Sequence, residues 1–212
     1  MSTVSDSLID AAVALVPSIA GRRVLLGLAG APAAGKSTLA RRLVRGVGQR
    51  LGADSVGYVP MDGFHLSTAQ LDLLGRRDRK GAADTFDVHG YVHLLRRLRS
   101  VPEHPVYVPD FDRRLEEPVA AGLVVPPTVR LVITEGNYLA DDGDGWREVR
   151  GLLDALWYVD TPRGVREERL LRRHVRGGRT RDQALAFIAG SERGNAERVE
   201  RCRANCSRVV RG

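Results

Sequence analysis

Residues 27–38 read GLAGAPAAGKST, with glycines at 30 and 35 and Lys36-Ser37 directly after the second. This spacing suits a loop that wraps backbone N–H groups around phosphate oxygens. Lys36 reaches the outer phosphates, and Ser37 offers its hydroxyl to Mg²⁺. The expected cradle runs through Gly30, Ala31, Pro32, Ala33, Ala34, Gly35, Lys36, Ser37 and Thr38. Of the 33 lysines and arginines only Lys36 and Lys80 are lysine, so a lysine at this spacing is not a product of abundance. Two carboxylates stand where such a loop would use them. Glu135 ends the apolar run LVIT and is a candidate for holding Mg²⁺ or its waters; the alternative is a surface or helix-capping carboxylate. Asp62, in MDGFH, follows the run VGYVP and can accept the proton of an attacking hydroxyl; the alternative is an Asx turn with Gly63.

These groups converge only if the segments carrying them are parallel strands whose C-terminal ends meet. The pattern agrees. Short apolar runs at 23–30, 56–60, 129–139 and 155–160 read as buried strands, 105–112 as strand-like, and SRVV as a last strand. Helical spacing covers 5–20, ending near Pro17, then 36–51, about 67–74 and 88–100. Pro162 opens a long Arg-rich helix, and another is expected over about 181–204. Alternation of this kind predicts an α/β fold with a parallel sheet covered on both faces. One domain is expected, an N-terminal helix at 1–21 and the main body at 22–212. DDGDG at 141–145 lacks the spacing of a calcium loop and reads as a solvated turn.

Composition narrows the function. The chain has 212 residues, 43% of them apolar, and no apolar run of membrane-spanning length. Its first ten residues carry Asp6 and Asp10 and no basic residue, unlike a secretory signal, so a cytoplasmic location is expected. The net charge of +7 comes from arginines interleaved with Asp and Glu, which argues for compositional bias over a nucleic-acid surface. Cys202 and Cys206 read as inert helix residues. No guanine-reading N-K-x-D stretch is present, and a D-x-x-G match at 142–145 falls in a loop, so a GTP switch is disfavoured. In REERLLRRHVRGGRTRD, Arg169, Arg172, Arg173 and Arg176 recur at spacings of three and four before a GGR tip. A lid that closes guanidiniums over a transferring phosphoryl group fits, as does a solvated, Glu-paired helix face.

The ordered set MDGFH, DTFDVHGY, VYVPDFDRRLEEP, VITEGNYL and VDTPRGVREERLLRRHV resembles the phosphoribulokinase/uridine kinase superfamily of P-loop kinases over roughly 22–210. The tail GSERGNAERVERCRANCSRVV is most similar to its bacterial nucleoside/nucleotide kinase-like group, which includes fructose-type sugar kinases. The resemblance implies a three-layer P-loop fold with a five-stranded parallel sheet, an Arg-rich lid, and ATP as donor. It implies Asp62 as catalytic base, Phe86 and Asp87 as acceptor contacts, Phe111 and Asp112 in the acceptor pocket, and Arg173, Arg176 and Arg179 as lid arginines. Uridine kinases of the family carry a base-reading His after the aromatic-Asp pair; here Arg113 and Arg114 stand there, which argues against uridine. Arg113 reads as an acceptor contact or as solvent-facing charge, and His65 as a candidate pocket residue. The expected reaction is phosphorylation of a small metabolite. A sugar is favoured because two carboxylates, Asp62 and Asp87, suit neighbouring hydroxyls and few aromatics are available for stacking. A nucleoside or pantothenate acceptor, an ATP hydrolase and a metabolite-sensing regulator are the alternatives. A homodimer is compatible with the sequence.

Overall fold

The computed structural model describes residues 4–16, 22–100 and 103–212. Strands β1 (Val24–Ala29), β2 (Val56–Pro60), β5 (Leu131–Gly136), β6 (Ala155–Asp160) and β7 (Arg208–Arg211) form one sheet in the order β2-β5-β1-β6-β7. Every neighbouring pair in it is parallel, as expected. Side chains alternate across it. Val24, Leu26 and Leu28 face one layer, with Leu131 and Ile133; Leu25 and Ala29 face the other, with Val132. Both layers are apolar because helices cover both, so β1 and β5 are buried at every position.

Helices α1 (Val4–Ala14) and α2 (Lys36–Leu51) cover the first face, where Ile9 and Ala12 join Ala40, Leu43 and Val47. The N-terminal helix therefore shares the main core; the stretch 17–20 of its expected span lies outside the described residues. On the second face lie α4 (Val88–Arg99), α5 (Trp146–Leu152) and α8 (Arg193–Arg201). The short α3 (Thr68–Leu73) is capped by Ser67, whose hydroxyl accepts from Gln70 N.

Four features depart from the sequence reading. The 105–112 segment is a strand, β3 (Val106–Asp112), but it leaves the main sheet and pairs antiparallel with β4 (Glu117–Val125), a strand that the periodicity did not reveal. Helix α5 was likewise hidden, too short to establish a period. The expected 181–204 helix is interrupted: α7 (Arg181–Phe187) runs through a π turn at Ile188–Glu192 into α8, which ends at Arg201. DDGDG is a loop with Asp142 and Asp144 exposed, as expected, but its first residue is not. Asp141 is buried and takes two bonds from Arg198, at 2.5 and 3.0 Å.

The arginines are mostly engaged within the fold. Arg23, buried, donates to the carbonyls of Val129, Leu98, Pro126 and Pro127 at 2.9–3.3 Å and ties the end of α4 to the turn before β5. No helix among the described residues is long and apolar enough to cross a membrane.

Candidate active site

The sheet register aligns the chemistry. Ala29 lies opposite Gly136, and Pro60 opposite Glu135, so the loop after β1, Asp62 after β2 and the end of β5 reach the same edge. There they line an open cleft of about 980 Å³.

Gly35, at φ 96°, occupies a conformation in which a side chain is strained, and it turns the chain into α2 without any side-chain cap. The first N–H groups of α2 thus lack an internal partner and are oriented for an anion. Ala33 takes φ 60°, a left-handed conformation that costs an alanine about 1–2 kcal/mol. Thr161 Oγ1 braces the loop by donating to Ala34 O at 2.8 Å. Lys36 is buried. Its Nζ donates to Ala31 O at 3.1 Å and to Asn137 Oδ1 at 2.7 Å. Burial holds the Lys36 ammonium below the usual lysine range, against the charges of Glu135 and Asp62.

Glu135 is also buried and is not a surface carboxylate. Its Oε1 accepts from Ser37 Oγ at 2.8 Å and from Tyr58 OH at 2.9 Å. Burial raises its pKa and the charge of Asp62 adds to the rise, while Lys36, Ser37 and Tyr58 pull the other way. Tyr58 faces Glu135 because it lies two residues before Pro60, the register partner of Glu135, on the same side of the sheet. A hydroxyl and a carboxylate 2.8 Å apart beside a phosphate-shaped loop are hard oxygen donors suited to Mg²⁺. Among the described residues no cluster of three or more His, Cys, Asp or Glu could hold a metal alone. That fits an ion that completes its shell with phosphate and water.

The acceptor side is formed by Asp62, its neighbours and the β3–β4 hairpin. Gly63 lets the hairpin close in: a Cβ there would lie 2.3 Å from Pro109 O. Arg113, at the hairpin tip, donates from Nη2 to Asp62 Oδ2 at 2.9 Å. The two side chains are 56% and 29% exposed, so this pair contributes only about 0.2–1 kcal/mol and exchanges readily. His65 stacks between Phe86 and Phe111, with ring centroids at 4.0 and 4.8 Å. Its Nδ1 is 2.8 Å from Asp62 O; a carbonyl only accepts, so Nδ1 carries the proton. Burial holds its pKa below the usual histidine value, leaving Nε2 an acceptor at neutral pH. Lys80 Nζ lies 5.6 Å from the Phe111 ring centroid and donates to Thr68 Oγ1 at 3.0 Å.

The lid is α6 (Arg163–Arg176) with the Gly177–Gly178 tip and α7. Arg169, Arg173 and Gly177, spaced by four, share the face toward the cleft. Arg169 Nη1 donates to Ala33 O at 3.2 Å, and Arg173 Nη2 to Glu192 Oε1 at 3.1 Å. Arg179 Nη1 donates to His174 Nδ1, which fixes the His174 proton on Nε2, facing Glu192 Oε1 at 3.2 Å. Burial raises Glu192, but the bond from His174 and the Arg173 charge outweigh it and hold the carboxyl below its usual range.

Three expected site residues lie elsewhere. Asp87 is exposed and caps α4, its Oδ1 accepting from Gly90 N at 2.8 Å; it does not line the cleft. Asp112 shapes the hairpin turn, its Oδ1 accepting from Arg114 N and Leu115 N at 2.7 and 3.1 Å, and those bonds lower its pKa. Arg176 sits one ridge around α6 from Arg173 and lines a separate groove with Arg172 and Arg181. Conversely, Asn137, Tyr58, Lys80 and Glu192 belong to the cleft or its supports and were not expected there, while Arg169, expected only as part of the Arg-rich helix, lines the cleft. Lys80 carried a signal, as one of two lysines among 33 basic residues. Asn137 stands two residues beyond Glu135 on the same strand end.

No family profile matches the chain. A Schizosaccharomyces pombe protein with a provisional uridine kinase name is 35% identical over 177 residues, covering 82% of this chain and 74% of its own. Among solved structures, a kinase provisionally assigned to a fructose transport system of Silicibacter sp. TM1040 superposes with a TM-score of 0.89. It is 33% identical and is covered at 100%, against 99% of this chain. The Saccharomyces cerevisiae protein YFH7 has a TM-score of 0.84 at 19% identity and covers 99% of both chains, which reports on fold alone.

Proposed function

The chain belongs to the phosphoribulokinase/uridine kinase superfamily of P-loop kinases and is an ATP-dependent kinase; from that premise we propose that it phosphorylates a hydroxyl of a small metabolite at Asp62. The observation that carries this reading is the single cleft that joins the phosphate loop, Glu135 and Asp62. The loop N–H groups and Lys36 would hold the donor phosphates, and Ser37 and Glu135 would hold Mg²⁺. Bound there, the ion would neutralise charge on the outer phosphates. Asp62 takes the proton of the acceptor hydroxyl as its oxygen bonds to the γ-phosphorus. The bond from that phosphorus to the bridging oxygen breaks, and ADP leaves. Arg173 and Arg169 stabilise the charge that accumulates on the transferring group.

For the acceptor, a compact aromatic wall of His65, Phe86 and Phe111 supports a small polyhydroxylated molecule such as a sugar over a large stacked one. Asp87 no longer contributes to that reading, because it serves α4. ADP release with Mg²⁺–ATP, measured over a panel of sugars, sugar acids, sugar phosphates, nucleosides and pantothenate, tests the function. Asp62→Asn should lower acceptor-dependent turnover by about 10²–10⁴ and leave ATP affinity within a few-fold. Acceptor-independent ATP turnover that survives the substitution would replace the kinase by a hydrolase.

A further inference from the structure

The hairpin tip places a cation on the group that the reaction needs free. Arg113 occupies Asp62 Oδ2, one of the two carboxylate oxygens that could take a substrate hydroxyl. The contact is not incidental to a floppy loop. Asp112 fixes the turn through two backbone bonds, Glu116 takes a left-handed φ of 55°, and Gly63 lets the hairpin rest on the segment that carries Asp62. A second cation lies near the same ring. Arg113 Cζ and Lys80 Nζ lie 5.9 and 5.6 Å from the centroid of one ring, Phe111, and Arg77 lines the same end of the cleft. Lys80 is anchored by Thr68 Oγ1 and Glu116 O, so its position is set before any ligand arrives.

Resting on the kinase reading above, we propose that the acceptor is a hydroxylated anion, whose carboxylate or phosphate takes Arg113 from Asp62 and sits between Arg113 and Lys80 over Phe111. Arg113 holds Asp62 through a single nitrogen–oxygen contact, whereas a guanidinium can take a free carboxylate or phosphate in a planar, two-pronged geometry, so the partner that best draws Arg113 away is itself a carboxylate or phosphate. Lys80 adds a point charge without demanding orientation. Removal of Arg113 from Oδ2 leaves Asp62 free to face the hydroxyl of the same molecule. The anion thus binds and unlocks the base in one event. A neutral polyol offers Arg113 only hydroxyl acceptors in exchange for the Asp62 carboxylate. The binding group is shared by sugar acids, other hydroxy acids and sugar monophosphates.

Two measurements test this. The first needs no known acceptor. With the nucleotide side filled by Mg²⁺ and a non-hydrolysable ATP analogue, inorganic phosphate is titrated while the side-chain Nε–H signal of Arg113 is followed by NMR, assigned through Arg113→Lys. A saturable shift is expected, weakened several-fold in Lys80→Met and absent at Arg208, outside the cleft. An Arg113 response no steeper than that of Arg208 overturns the anion site. The second compares turnover of matched sets, each a polyol, its sugar acid and its monophosphate. The charged members should be preferred; carboxylate and phosphate arms separate the two sources. Arg113→Met should lower kcat/KM for the anionic acceptor by about 10- to 100-fold, the loss of a charged hydrogen bond. For the neutral member it should stay level or rise. A neutral acceptor used as well as its charged counterpart refutes the inference and leaves the kinase intact. Phosphate bound at Arg113 with ATP hydrolysed and no acceptor phosphorylated upholds the anion site and refutes the kinase reading on which its acceptor role depends.

Discussion

Tyr58→Phe removes one oxygen and tests the state of Glu135. The hydroxyl donates to a buried carboxylate at 2.9 Å, and Ser37 supplies the other side-chain donor to the same oxygen. A hydrogen bond to a charged group contributes about 1.5–3 kcal/mol, a neutral one about 0.5–1.5. Loss of the Tyr58 donor should therefore cost about 1.5–3 kcal/mol where Glu135 is ionised, or about 3–12 °C of Tm for a chain of this length. The pH dependence follows from the direction of the Glu135 shift. Its folded-state pKa lies above the ordinary 4.5, so in the window above 4.5 the folded state binds more protons than the unfolded state. Glu135 therefore withdraws stability as pH rises through that window. Tyr58→Phe deepens this, because it removes a group that favours the ionised form. Below the raised pKa of the parent the difference between parent and variant should shrink to the neutral value; above the still higher pKa of the variant it should be full. Urea midpoints of the ligand-free protein across that range read the difference. The Mg²⁺ requirement of turnover should also move to higher concentration, since Glu135 is less readily ionised. A difference that is zero, or that is the same at every pH, refutes the charged, doubly bonded Glu135.

Lys36→Ala should lower turnover by about 10²-fold or more and weaken ATP binding, read separately by kinetics and calorimetry, as expected for a preorganised donor to the transferring group. Asp87→Ala should cost about 1 kcal/mol of stability through loss of the α4 cap, while Asp87→Asn, an equally good cap, should leave both Tm and acceptor KM unchanged. A raised acceptor KM in Asp87→Asn would return Asp87 to the substrate. Arg173→Ala should lower kcat about tenfold or more, and Arg176→Ala should stay within about twofold, because only Arg173 faces the cleft. Equal losses in single-turnover assays would mean that the lid rotates on closing.

Three of the five sheet strands were legible because each is an apolar run followed or closed by a group with a chemical reason to be there: Gly30 after β1, Asp62 after β2, Glu135 on β5. The phosphate loop was legible because its geometry is made by backbone and glycine, which sequence spacing specifies. The hairpin was not. In β4, EPVAAGLVV, the run from Val119 to Leu123 is half-exposed or exposed and shows no clean two-residue alternation, and pairing with β3 shifts register between Val108 and Asp110. That strand is defined by its partner and not by its own pattern. The places of Asp87 and Asp112, off the cleft, were hidden for a related reason. A carboxylate beside a phosphate site and a carboxylate that caps a helix or turn have the same sequence appearance. The deciding facts, Gly90 N and Arg114 N within bonding distance, are local backbone geometry. Arg176 lies off the cleft by helix phase: a spacing of three from Arg173 moves it off the ridge that a spacing of four keeps.

The arrangement of charge also accounts for the basic composition. Nine basic and four acidic side chains line the cleft, a formal excess of five positive charges in a chain whose net charge is +7. Elsewhere arginines pair with acids, as in Arg22–Asp154, Arg96–Glu148, Arg150–Asp142 and Arg166–Glu200. The excess is thus concentrated where a triphosphate would bind and not drawn out along a surface stripe. Within the cleft the cations nearest the reaction are held by internal acceptors: Lys36 by Asn137, Arg173 by Glu192, Arg169 by Ala33, Arg113 by Asp62. Such partners keep like charges from repelling one another in the empty protein, and each is a polar contact that a ligand oxygen can replace. Glu192 has a further consequence. It lies at the end of the π turn, between the lid helix and α8, so withdrawal of Arg173 toward a phosphate leaves the carboxylate to His174 alone. A lid that closed on a phosphate would then move against a buried acid that loses one of its two side-chain partners, which would favour reopening once the anion departs.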